Sequence, residues 1–147
     1  MNFENIIRKE AAAMGLTYKY GPLPYLNQVL DALLHGNDAP ACLNIQPVDG
    51  TYSFDETPLY RRGRETQRTK VAMSRKIALD YDPQKVAELT DELKGLGVSL
   101  LTRLQDTGLF EDITDMVWSV LYDAFDVNLV VVMFEFSLTE KDGTCLE

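Results

Sequence analysis

Asp126–Glu140, DVNLVVVMFEFSLTE, is the stretch whose reading decides the fold. With a period of two, Val127, Leu129, Val131 and Met133 share one face, which then turns polar at Glu135, Ser137 and Thr139. The other face runs Asn128, Val130, Val132, Phe134, Phe136 and Leu138. Alternating β-branched and aromatic residues signal a strand. From Leu129 to Phe134 both faces are apolar, as in a strand covered on two sides. Beyond Met133 only one face stays apolar, so the strand should emerge there with one side wet.

Upstream, Glu111–Tyr122 alternates in the same way and predicts a partner strand across Asp123–Asp126. Before it, Tyr81-Asp82-Pro83 is a helix start, with Asp82 as N-cap and Pro83 at the first helical position. Val86, Leu89, Leu93, Leu96, Leu100 and Leu104 then recur every three or four residues. They predict a long helix, ending near Gly108, with one apolar stripe laid across the sheet. Gly95 and Gly97 interrupt it, marking a bend or a close approach to the sheet.

The first half is less regular. Asn2–Met14 reads as a helix with Phe3, Ile6, Ile7 and Met14 near one stripe and Gly15 as its stop. The segment LTYKYGPLP, broken by Gly21, Pro22 and Pro24, reads as a connector. A second helix is predicted from Leu23 or Pro24 to His35. Pro40–Val48 reads as a strand, and Asp49-Gly50 as a turn. Thr51–Phe54 begins a return strand that Asp55–Pro58 interrupts. PLYRRGRETQRT then reads as an exposed loop or hairpin tip, followed by a strand over Thr66–Leu79. Arg75 falls on the apolar side of that strand, which implies a bulge, a strand end or an ion pair. The sum is one α+β domain over residues 1–147: a mainly antiparallel sheet of about four strands with a long projecting hairpin, one long helix on the sheet and two N-terminal helices.

Composition limits what such a domain does. The 147 residues are 46% hydrophobic and carry a net charge of -9, which disfavours a general nucleic-acid binder. Yet between Arg61 and Lys76 seven basic residues face one acid, Glu65; that segment is +6 and leaves -15 on the remainder. Cys42 and Cys145 are too few for a disulfide scaffold and lack metal-ligand spacing, as expected of a cytosolic chain with reduced thiols. No signal peptide or membrane span of roughly 18 apolar residues is apparent.

Chemistry is equally sparse. His35 ends a leucine-rich helix, where it suits the terminal carbonyls, and no serine or cysteine joins it in a nucleophile pattern. No phosphate-cradling glycine motif occurs. The acid pairs Asp55-Glu56, Glu111-Asp112 and Asp123 with Asp126 suit turns better than a hard cation. The basic segment leaves three readings open: a solvated hairpin, a surface docking on an acidic face of a neighbouring copy, or a phosphate contact with Tyr60 as its one stacking aromatic.

The pattern LYDAFDVNLVVVMFEFSLTEKDGTCLE, with RRGRETQRTKVAMS before the long helix, resembles small proteins of Bacteroides-type prophages and related mobile elements. The overall layout is similar to the tail-terminator and tail-completion proteins of long-tailed phages. That resemblance implies a small α+β fold and a non-enzymatic tail protein without cofactors, located in the host cytoplasm or the virion. It would assemble as a homo-oligomeric ring and contact other tail or head-tail proteins. The expected interface residues are Arg61, Arg62, Arg64, Arg68 and Lys70, with no catalytic or metal-binding residues. The alternative is a small nucleic-acid-binding or regulatory module using the same segment.

Overall fold

The computed structural model describes residues 2–24, 26, 40–56, 61–76, 83–121, 129–141 and 144–146, with backbone alone at 55, 56, 61, 62 and 144–146. It is an α+β fold with one mixed sheet. The strands are β1 (Thr17–Gly21), β2 (Ala41–Ile45), β3 (Gly50–Glu56), β4 (Arg61–Lys76), β5 (Met116–Leu121), β6 (Leu129–Thr139) and β7 (Thr144–Leu146). The helices are α1 (Phe3–Ala13) and α2 (Pro83–Asp106).

The main strand order is β1-β2-β4-β6-β5, with β3 and β7 each paired to β4. All pairings are antiparallel except β1 with β2, which is parallel. The sheet therefore has seven strands rather than about four. Two strands, β1 and β7, are unexpected and a third, β4, is longer than expected. The expected connector Thr17–Gly21 is a strand, aligned Thr17 to Ala41 through Gly21 to Ile45. The expected loop over PLYRRGRETQRT is a strand from Arg61 onward, so the basic segment forms the sheet's longest strand, 16 residues. A short β7 follows β6 and pairs with Arg61–Gly63.

β4 is long enough to serve two neighbours on each edge. One edge takes β3 along its first half and β2 along its second; the other takes β7 and then β6. The principal helix contacts fall on β1, β2, β4 and β6, leaving β3 with β4 as its neighbour. β3, the start of β4 and β7 thus form a three-stranded extension of the sheet.

From Leu129 onward, β6 behaves as its alternation predicts. Val130, Val132, Phe134, Phe136 and Leu138 are buried against α1 and α2, together with Val71, Met73 and Cys42. On the opposite face Leu43, Ala72 and Val131 cluster with Leu26, whose N–H donates to the Pro22 carbonyl at 3.2 Å. Glu135 and Ser137 are exposed, so the strand's far end has one wet side. The helix predicted up to His35 otherwise lies outside the described residues, as do Ile77–Leu79.

α1 starts at Asn2, whose side chain accepts the Asn5 N–H at 3.1 Å, and buries Phe3, Ile7 and Ala11. Gly15 leaves it at φ +77°, a left-handed conformation that favours glycine. α2 buries Leu93, Leu100 and Leu104 on the sheet. Each such side chain contributes about 1.5–3 kcal/mol relative to an exposed one. Gly97 explains the approach: a Cβ there would collide with the Phe134 ring, whereas one on Gly95 would meet open space. The apparent misfit of Arg75 is an ion pair, its Nη1 donating to Glu92 Oε1 of α2.

Candidate functional site

The five cations singled out in the sequence all lie on β4. Arg64, Arg68 and Lys70 fall on the face away from α2. The fold brings acids to most of these positions. Arg64 Nη1 donates to Glu111 Oε1 at 2.9 Å. Arg68 Nη1 lies 3.7 Å from Asp49 Oδ2, and Lys70 Nζ 3.6 Å from Glu135 Oε1. In register, Arg61 stands opposite Glu56 and Arg62 opposite Asp55.

The +6 read along β4 therefore does not survive folding as a bare positive patch. Asp49–Lys70, which leaves out Arg75 and Lys76 of that segment, holds five basic and four acidic residues, a net +1; with those two included it is +3. Such exposed pairs add little stability, about 0–1 kcal/mol each. Their consequence is for recognition, because a nearly neutral surface attracts neither phosphate nor an acidic partner at long range.

Above Arg68 and Lys70 lies an open groove of about 600 Å³. Its floor includes Glu135, Ser137 and Thr139 of β6. Its walls are Ile45–Asp49 on one side and Asp112–Asp115 with Val117 on the other. It is the wet end of the face that Leu26 covers further along.

Sequence reasoning overlooks a second feature, on β3. Thr51, Tyr52, Ser53 and Phe54 are all exposed, Tyr52 at 61%. The Tyr52 and Phe54 rings stack, with centroids 6.4 Å apart and planes 20° from parallel. Phe54 stands opposite Gly63, where no side chain competes for the space. The signal was available in GTYSFDE, which places two aromatics two residues apart and so on one face. These rings occupy the α2 face, opposite to Arg64, Arg68 and Lys70.

The other flagged groups have structural surroundings. Of the acid pairs, Glu111 holds Arg64, and Asp55-Glu56 is part of β3. Among the described residues no group of three or more His, Cys, Asp or Glu is placed to hold a metal ion. His35, Asp123, Asp126, Tyr60 and Tyr122 lie outside the described residues. Cys42 is fully buried, and burial pushes its thiol up to about 12. Trp118 is half exposed, with Lys94 Nζ 3.5 Å from its ring centroid. Among the described residues no helix is long and apolar enough to cross a membrane.

No protein-family model matches this chain, and no curated protein matches its sequence.

Proposed function

We propose that this protein is a non-enzymatic assembly subunit of a phage or prophage tail, a tail terminator or head-tail completion protein. It works by seating its sheet extension against neighbouring subunits. The observation that carries this reading is the extension itself. β3 and β7 lengthen the sheet along one end of β4, and β3 keeps an exposed aromatic pair that core packing does not require. Arg61 and Arg62, towards the same end, are the cations assigned to a partner; Arg64, Arg68 and Lys70 act through the ion pairs they already make.

The same geometry disfavours a nucleic-acid module. Single-strand binding needs cations and stacking aromatics on one surface. Here Tyr52 and Phe54 lie on one face while Arg64, Arg68 and Lys70 lie on the other.

The test is molecular mass in solution at low and high salt, for the native chain and an Arg61→Glu/Arg62→Glu variant. The expected result is a native oligomer that the variant weakens. A native chain that stays monomeric at high concentration in both salts overturns the assembly reading. A salt-dependent mobility shift with DNA by a monomer replaces it with the nucleic-acid module.

A further inference from the structure

We propose that two copies of this chain pair through the outer edges of their β3 strands, antiparallel and centred on Ser53, to form one continuous sheet across a two-fold axis. This deepens the assembly reading, on which it rests, by naming one contact and its partner: a second copy.

Three observations lead there. Among the described residues β3 pairs with β4 and with no other strand, which makes its outer side an edge of the described sheet, the kind of place where a further strand adds. Natural edges are commonly blunted by charged side chains, proline or a bulge. Gly50–Glu56 has no proline, its two charges stand at its last two positions, and it pairs with β4 residue for residue without interruption.

The second observation is that the strand is complementary to itself. A two-fold axis between the two Ser53 residues sets Tyr52 of each copy opposite Phe54 of the other, Thr51 opposite Asp55, and Gly50 opposite Glu56. Two Tyr–Phe cross-strand pairs then join the stacks already formed within each strand. Such pairs contribute roughly 0.2–1 kcal/mol each relative to alanine. No charged residue meets its like. Moving the axis to Tyr52 would set Asp49 against Asp55 twice, and moving it to Phe54 would oppose Tyr52 to Glu56. Of these three registers, only the one centred on Ser53 pairs the aromatics without opposing like charges or setting a ring against a carboxylate.

Third, the location suits self-association of an acidic chain. Two copies of charge -9 repel in general, but Asp49–Lys70 is nearly neutral at +1. β5 is also an edge strand, but Asp112 and Asp115 precede it and Lys94 covers Trp118.

The experiment places like charges at the two-fold. Ser53 is exposed but stands opposite Arg64, so far-UV circular dichroism and thermal melting first establish that Ser53→Lys and Ser53→Glu are folded. In sedimentation velocity the native chain should dimerise. Each variant alone should be monomeric, and an equimolar mixture of the two should regain a 1:1 dimer. Only a register that sets residue 53 against itself gives this pattern. If both folded variants still dimerise, the contact lies elsewhere; this inference falls and the assembly reading stands. If each variant is monomeric but their mixture stays so, the register is wrong and the inference falls. A native chain that is monomeric at every concentration overturns both.

Discussion

Gly97 of α2 lies directly against the ring of Phe134, with no room between them for a single methyl group. Phe134 sits in the doubly covered part of β6, and the missing side chain lets the helix settle onto it. Gly97→Ala gains about 1 kcal/mol of helix propensity but forces the ring or the helix aside, at about 1–3 kcal/mol. The expected net is destabilisation. Gly95→Ala, two residues away and facing open space, gains the propensity alone and should stabilise by about 0.5–1 kcal/mol. Denaturant melts of the pair should show opposite signs; equal signs would mean that the close approach does not govern the packing.

A hydrogen-bonded chain ties α1 to the first two strands. Buried Asn44 donates from Nδ2 to Tyr18 Oη at 3.0 Å, and the Tyr18 hydroxyl donates to Glu4 Oε1 at 3.2 Å. Tyr18→Phe removes the middle link and strands the Asn44 amide, at about 1–3 kcal/mol. Tyr18→Phe/Asn44→Leu removes both partners and should recover much of that loss. A double variant no more stable than Tyr18→Phe alone would show that the amide is not what the hydroxyl satisfies.

The sequence makes some of this legible and hides the rest for physical reasons. β6 and α2 announce themselves because one face of each meets the core, so period two and the leucine spacing survive in the chain. The start of α2 at Pro83 is equally local, while Asp82 lies outside the described residues. β1 is hidden because its pairing with β2 joins segments 24 residues apart in register, and its own residues, TYKYG, are half polar. The start of β4 is hidden because arginines beside Gly63 look like a loop. What makes it a strand is β3, β6 and β7 on its two edges, with Asp49, Glu111 and Glu135 beside its cations. For the same reason Arg64, Arg68 and Lys70 look like a bare charge run when read linearly and stand in ion pairs once folded.

Glu140 closes the sheet where β6 ends. Its carboxylate accepts the Glu65 N–H at 2.9 Å, its own N–H donates to the Glu65 carbonyl at 3.1 Å, and the residue is 2% exposed. Glu140→Gln keeps the shape and an acceptor and should cost little. Glu140→Ala leaves a buried N–H unsatisfied and should cost about 1–3 kcal/mol, with faster amide hydrogen exchange at Glu65 as its local signature. Unchanged exchange at Glu65 would remove this side chain from the account of how the extension is anchored.

Stability at alkaline pH tests the core beneath β2. Burial holds the Cys42 thiol neutral, moving it from an ordinary value near 9 up to about 12. Burial also raises Tyr18, with Glu4 adding to the rise and the Asn44 hydrogen bond opposing it. In the unfolded chain the thiol loses its proton near its ordinary value, whereas the folded chain keeps it. Above pH 9 the unfolded state therefore binds fewer protons, and unfolding becomes easier as pH rises. The slope approaches about 1.4 kcal/mol per pH unit for one such group. Below that range the thiol is neutral in both states and contributes no dependence. Cys42→Ala should flatten the decline just above pH 9 while leaving the part that begins near 10, where Tyr18 acts. The folded thiol should also resist alkylation at pH 8 until denaturant is added. Rapid labelling of Cys42 in the folded chain, or an alkaline decline unchanged in Cys42→Ala, would show that this side chain is not sealed beneath α1 as its burial implies.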